Sequence, residues 1–329
     1  MSQNKTMRKF LLKITVFLIP VLLTAYYADI LLSNSLKTSR SEEYGVWNDI
    51  YNGKINSDIV IYGSSRAWVH IDPEIISRNL NLSAYNMGID GHNFWLQYLR
   101  HSLLLQYNVK PKIIIHSLDL FTLSMHKGLY KREQFLPYML NNELIEKATS
   151  SYEGYNSLDY KIPMIRYFGQ RHAIFHAIQL MIAPSSNLPD RINGYQGQDL
   201  TWNDDFIKAK AKIKEYEIGI DAATVQLFDD YLHECRKKGI KVILVYTPEY
   251  IEGQKFVKNR EEIFKLFKKL SLKYDIPFWD YSNDPISFQI KYFYNSLHMN
   301  KKGAELFTNE LTNALKEYIE KNTACRDTR

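Results

Sequence analysis

Cysteine is nearly absent from this chain. Only Cys235 and Cys325 occur among 329 residues, which permits one disulfide at most and excludes a fold built on a disulfide framework. No sign of charge dominates either. The 42 Lys and Arg against 36 Asp and Glu leave a formal charge of +6, and the basic residues are spread along helical segments, so there is no nucleic-acid footprint and no nucleic-acid partner is expected. Internal repeats and low-complexity tracts are missing, which excludes solenoids and arrays. His172 and His176 fall four apart on a stretch that reads as a helix from Gln170 to Met181. No glutamate follows the first of them and no third ligand is evident, so no metal is expected.

Long apolar runs are scarce, and the single one present is informative. From Ile14 to Leu32 the chain is mostly apolar, interrupted by Thr15, Pro20, Thr24 and Asp29; with Phe10 to Leu12 added it is long enough to cross a hydrocarbon core of about 30 Å. Lys5, Arg8, Lys9 and Lys13 precede the run, and no basic residue follows until Lys37. The positive-inside rule then predicts a single-pass protein with a cytoplasmic N-terminus and residues 36–329 outside. Tyr26 and Tyr27 suit the far interface, where amphipathic rings collect. The run is long for a secretory signal and no clean Ala-x-Ala site follows it. The expected partition is a basic tip and anchor over 1–35, a linker over 36–55, an α/β domain over 56–321 and a polar tail over 322–329.

Strand-like and helix-like segments alternate through that domain, which predicts a doubly wound parallel sheet in three layers, flavodoxin-like. Residues 58–63 read as a strand, Pro73 to Leu80 as a helix, Ala84 to Met87 as a strand, Asn93 to Tyr107 as a helix and Ile113 to His116 as a strand. The rhythm resumes with a helix from Ala222 to Lys238 closed by Gly239, a strand over Ile240–Tyr246, a helix from Arg260 to Tyr274 and a short strand at Pro277–Trp279. The interval 122–220 is too long for a plain loop and too aromatic for disorder. It reads as a mostly helical insertion that walls the cleft. Within it Tyr152, Tyr155, Tyr160, Tyr167, Tyr195 and Trp202 either stack on sugar rings or pack the insertion's own core.

The chemistry concentrates at two places far apart in sequence. The apolar run Ile59-Val60-Ile61-Tyr62 stops at Gly63-Ser64-Ser65-Arg66, a strand delivering hydroxyls to the sheet edge where α/β proteins bind ligands, or an ordinary turn with local hydrogen bonds. Near the other end, Tyr294-Asn295-Ser296-Leu297-His298 precedes a helix with apolar positions Ala304, Phe307, Leu311 and Leu315. His298 would then sit on the loop that opens the last helix, within reach of the sheet edge.

Together these blocks resemble the SGNH, or GDSL-type, hydrolases, and Asn86-Met87-Gly88-Ile89-Asp90-Gly91 resembles that family's second block. The resemblance implies a nucleophile at Ser65, with Ser64 supporting the turn, a general base at His298 and an oxyanion N–H from Gly91. It places Asp119 where the family has an asparagine and Asn295 where it has the triad aspartate, and it requires no cofactor. Arg66 either holds an anion or pairs with a carboxylate. Three readings of Asn295 stand side by side: a Ser65–His298 dyad whose ring is held by a backbone carbonyl or the asparagine amide oxygen, a substitute carboxylate from Asp280 or Asp284, or a site that binds without catalysing. On the triad precedent, Asn295→Asp would raise turnover by up to the order of 10⁴.

Membrane-anchored members with a Gly-Ser-Ser first block look like proteins that move or remove acyl groups on surface polymers. The resemblance therefore implies an esterase or O-acyltransferase working on a cell-surface polysaccharide through an acyl-serine. Its partners would be the glycan, its acyl donor, the membrane and other polysaccharide-biosynthesis proteins. The alternative is a catalytically degenerate glycan-binding or assembly protein.

Overall fold

The structure is a computed structural model that describes residues 2–91, 94–212 and 215–327, with side chains described from Thr6 to Asn322. In chain order its helices and strands are α1 (Ser2–Leu36), α2 (Glu42–Tyr51), β1 (Ile59–Gly63), α3 (Ser65–His70), α4 (Pro73–Leu80), β2 (Ala84–Asn86), α5 (Phe94–Tyr107) and β3 (Ile113–Leu118). They continue as α6 (Glu143–Thr149), α7 (Ser157–Lys161), α8 (Arg171–Ile182), α9 (Asp205–Lys212), α10 (Ala222–Lys237), β4 (Lys241–Tyr246), α11 (Ile251–Gln254), α12 (Arg260–Tyr274), β5 (Phe278–Asp280) and α13 (Lys301–Asp327). The elements fall into two compact units, one of residues 1–44 and 127–188 and the other of residues 45–126 and 189–329.

The larger unit is built on five parallel strands in the order β2-β1-β3-β4-β5. This is the doubly wound order whose direction of winding reverses between β1 and β3, the crevice where such sheets take ligands. Strands buried on both faces read as near-continuous β-branched runs, as Ile59–Ile61 and Ile113–Ile115 do. Alternate residues serve opposite layers. Ile59, Ile61, Ile113, Ile115, Ile243 and Val245 join a core with Ala67, Ile76, Phe307, Leu311 and Leu315 of α3, α4 and α13. On the other side Tyr62 and His116 meet Phe94, Phe228 and Tyr231 from α5 and α10.

In the smaller unit α1 is the one described helix long and apolar enough to cross a membrane, over Thr6–Leu36. Its apolar side chains from Phe10 to Leu23 are exposed, as are Tyr26 and Tyr27. Further along the helix, Asp29 and Leu36 are buried. Asp29 takes both guanidinium branches of Arg166, each at 2.7 Å; this bidentate pair replaces the water both charges give up on burial.

Two boundaries differ from the sequence reading. The expected linker over 36–55 holds α2 and the fully buried Leu36, Trp47, Ile50 and Ile55; Val46, Trp47 and Ile50 have the helical spacing that buries one stripe. The interval 122–220 does not form one insertion: residues 127–188 belong with α1, and 189–220 with the sheet. Its tyrosines take the packing role, since Tyr152, Tyr160, Tyr167 and Tyr195 are buried. Cys235 is buried with a free thiol, and the side chain of Cys325 lies outside the described residues, as does Asn93 at the expected start of α5.

Candidate active site

Gly63 ends β1 at φ +144°, and a Cβ there would stand 2.6 Å from the Ser117 carbonyl of β3, so only glycine lets the chain leave the strand this close to its neighbour. Ser64 follows as the N-cap of α3, its Oγ accepting from the Arg66 N–H at 3.3 Å. Ser65 is thereby the first helical residue at the carboxyl end of β1. Gly88 is shaped by the same turn: a Cβ on it would lie 2.6 Å from the Trp68 N and 3.0 Å from the Ser64 carbonyl.

His298 comes from a tight loop before α13. Phe293 and Met299 pair as an antiparallel bridge, Tyr294 N–H donates to the His298 carbonyl at 3.1 Å, and Met299 N–H donates to His70 Nε2 at 2.9 Å. Ser65 Oγ then lies 2.8 Å from His298 Nε2, and His298 Nδ1 lies 3.0 Å from Asn295 Oδ1. Two more donors reach that same amide oxygen, Leu297 N–H at 3.0 Å and His298 N–H at 2.9 Å. Backbone N–H groups only donate, so the atom facing them is the oxygen and the amide cannot turn over without losing both bonds. The proton of His298 therefore sits on Nδ1. Nε2 presents its lone pair to Ser65, whose hydroxyl donates to it.

The ring is therefore held by the asparagine oxygen, not by a backbone carbonyl or a substitute carboxylate. Asp280 and Asp284 are engaged elsewhere, accepting from Ser282 N–H and Ile286 N–H as local caps. What the asparagine does not supply is charge. Burial first, then the Arg66 cation, depress His298 to about 4, so the ring is neutral and ready to accept a proton at neutral pH but binds it weakly.

A cavity of about 70 Å³ opens beside the pair, lined among others by Ser64, Ser65, Asp119, Glu249, Leu297 and His298. Arg66 also lines it, but its guanidinium is buried and committed, with Nη1 3.4 Å from Glu249 Oε2, Nη2 3.0 Å from Thr247 Oγ1, and the plane 4.5 Å from the Tyr246 ring. Of the two sequence readings of Arg66, pairing with a carboxylate is the one realised. Glu249 also accepts from Tyr246 OH at 2.8 Å and from Arg260. Asp119 reaches the cavity, yet its Oδ1 accepts Phe121 N–H at 2.7 Å, and a carboxylate accepts hydrogen bonds where an oxyanion needs donors. Gly91 is not among the cavity's described lining residues. It follows Asp90, whose charge acts on Tyr294, the ring stacked on His298 with centroids 5.5 Å apart.

The sequence did not point to His70, Thr247, Arg260 or Tyr294. His70 accepts from Met299 at Nε2, so its Nδ1 donates to Thr247 Oγ1 at 2.8 Å; one buried imidazole thus ties α3 to the end of β4 and to the His298 loop. His172 is exposed and His176 bonds Ser39 and Ser41 at 2.8 and 3.1 Å. Among the described residues no cluster suited to a metal occurs.

Four buried imidazoles give the unit a pH dependence. Burial is the leading cause of each depression: His298 to about 4, His101 and His116 to about 3, and His70 well below its ordinary value. The unfolded chain takes up these protons near pH 6.5 while the folded one resists, so stability is complete above that pH and is lost as pH falls toward 4. With all four neutral in the fold, the slope approaches roughly 5 kcal/mol per pH unit. Melting temperature is expected to be flat from pH 8 to 7 and to fall steeply below 6; a flat profile to pH 4.5 would show these imidazoles protonated in the fold.

No protein-family model and no curated protein matches the chain. Solved structures similar to it include a protein of Streptococcus pneumonia named for platelet activating factor, at 10% identity over 93% of this chain and 98% of that one, TM-score 0.41. An acetyl xylan esterase shares 12% identity over 78% and 98% of the two chains, TM-score 0.40. A GDSL-like lipase of Bacteroides thetaiotaomicron shares 13% over 80% and 88%, TM-score 0.36. Likeness of this degree carries no argument, and the reading of the site rests on its own geometry.

Proposed function

We propose that this chain is a membrane-anchored esterase or O-acyltransferase of SGNH type, acting on an acylated cell-surface glycan through an acyl-Ser65 intermediate. The observation that carries the reading is the line Ser65 Oγ, His298 imidazole, Asn295 Oδ1, at 2.8 and 3.0 Å, with the tautomer fixed by two backbone donors. Ser65 Oγ attacks the ester carbonyl while its proton passes to His298 Nε2. The tetrahedral intermediate collapses as that proton goes to the leaving sugar oxygen, and the acyl group stays on Ser65. Water or a second hydroxyl then attacks, giving its proton to Nε2, and Ser65 leaves as the restored hydroxyl. The Ser65 N–H, free of an intrahelical acceptor at the first position of α3, is the proposed oxyanion donor, with Gly91 as its partner in the block resemblance.

The small cavity suits a short acyl group such as acetyl, since about 70 Å³ holds few heavy atoms. The glycan, the extracytoplasmic placement of residues 36–329 and the association with polysaccharide-biosynthesis proteins follow from the resemblance and from the basic flank ahead of α1. Purified full-length protein in detergent, given acetylated polysaccharide, should release acetate or pass it to an acceptor glycan, and Ser65→Ala should not. Equal acetate release by Ser65→Ala would end the acyl-serine reading. Binding of the polymer without turnover in either protein would favour the degenerate binding protein.

A further inference from the structure

From α7 to α8 of the smaller unit, large apolar side chains stand in solvent. Phe168 is 90% exposed and Phe175 69%, and Leu158, Ile162 and Ile165 are exposed as well. Such a cluster on a unit with its own buried core marks a contact surface. Its position relative to α1 is fixed by hydrogen bonds. Met164 N–H donates to Asp29 Oδ2 at 2.8 Å, Arg166 grips both Asp29 oxygens, and Tyr167 OH lies 2.8 Å from Ser33 Oγ.

At a rise of 1.5 Å per residue, the stretch from Phe10 to Asp29 spans about 30 Å, one hydrocarbon thickness. Asp29 therefore marks the edge of the core, and the loop it holds lies at that edge. Tyr167, ahead of α8, contacts Ser33, and on α8 the Ala177 carbonyl accepts from Ser35 Oγ at 2.6 Å. Past the end of α1, the segment 38–41 is held by His176 of α8, at 2.8 and 3.1 Å from Ser39 and Ser41, and by Asn187, at 2.7 and 2.8 Å from Thr38 and Arg40.

We propose that this unit rests on the lipid surface through a foot of Leu158, Ile162, Ile165, Phe168 and Phe175, beside the point where α1 leaves the bilayer. The inference rests on the membrane reading of α1. The foot's chemistry matches that level of a bilayer, where apolar rings sink to the acyl boundary and cations meet phosphate. Ile165 and Phe168 also line a cavity of about 630 Å³ shared with Arg132. That guanidinium donates to the Gly154 carbonyl at 2.9 Å, and among the described residues no carboxylate pairs with it. Attachment through the Asp29–Arg166 pair makes the foot rigid with the anchor, which restricts how the unit tilts over the membrane.

The test is a depth measurement on the full chain in vesicles of phosphatidylcholine and phosphatidylglycerol. Cys325→Ser removes one thiol, and burial pushes the Cys235 thiol up to about 12, so it resists labelling. Single cysteines at Leu22, Phe168, Phe175 or Asn187 carry an environment-sensitive fluorophore, and lipids with a shallow spin-label quencher are added. Emission should be mostly lost at 168, substantially lost at 175 and nearly unchanged at 187, with position 22 responding most to a deep quencher. Quenching at 22 with 168 and 175 behaving like 187 would overturn the foot and leave the anchor standing. No quenching at 22 would remove the anchor itself. Blue-shifted emission at 168 that no lipid quencher reaches would show a protein covering this face, which also overturns the proposal.

Discussion

Alanine at Ser65 or at His298 is expected to cut ester turnover by at least roughly 10³-fold, and alanine at both to cost little more than either alone, because the two act as one nucleophilic unit. Without His298 the Ser65 hydroxyl has no acceptor for its proton; without Ser65 the imidazole activates nothing at 2.8 Å. Ser64→Ala is the internal contrast. Its side chain caps α3 through the Arg66 N–H, so the substitution should cost about 1 kcal/mol of stability with turnover nearly unchanged. Steady-state kcat/KM on an aryl acetate separates these outcomes. A Ser64→Ala protein as inactive as Ser65→Ala would mean the hydroxyls had been assigned the wrong way round.

Asn295→Asp should raise turnover at pH 8 by roughly 10- to 100-fold, well short of the 10⁴ suggested by the serine-protease precedent. In that precedent the asparagine leaves the histidine in the wrong tautomer. Here Leu297 and His298 N–H groups hold the amide oxygen toward Nδ1, so the tautomer is already correct and only the missing charge is to be regained. A carboxylate accepts the same three donors and adds attraction for the imidazolium that forms in the transition state, against the opposing field of Arg66. The same charge lifts His298 from about 4 toward its ordinary range. The wild-type rate should thus stay flat from pH 8 to about 5.5, whereas the variant, faster at pH 8, should lose rate across that window as its base becomes protonated. A variant with unchanged rate and an unchanged profile would show that position 295 does not act on the ring.

The sheet was legible because its strands are β-branched runs ended by glycine or polar residues, with helical periods between them. The meeting of Ser65 and His298 was legible because Ser65 follows a strand end and His298 precedes a helix start. The function of Asn295 was only half legible: the Asn-Ser-Leu-His stretch is a natural turn, but which amide atom faces the ring depends on two N–H groups that only the folded loop aims. Arg66 and Glu249 were each readable near the cleft, but their joining with His70, Thr247 and Arg260 was not, because the members lie up to 194 residues apart and share no period. The expected linker failed for a related reason. The stripe of Val46, Trp47 and Ile50 is too short to stand out beside a long apolar helix, although burial makes it part of the core.

The central claim is that Ser65 is an activated nucleophile, and covalent capture tests it most directly. The full-length protein at pH 7.5 is exposed to a fluorophosphonate, which reacts with activated serines and leaves idle hydroxyls alone, and the adduct is then mapped by peptide mass spectrometry. The expected result is a single adduct on Ser65, lost in His298→Ala and formed faster in Asn295→Asp. An unmodified Ser65 in wild-type protein whose melting transition shows it to be folded would contradict the account.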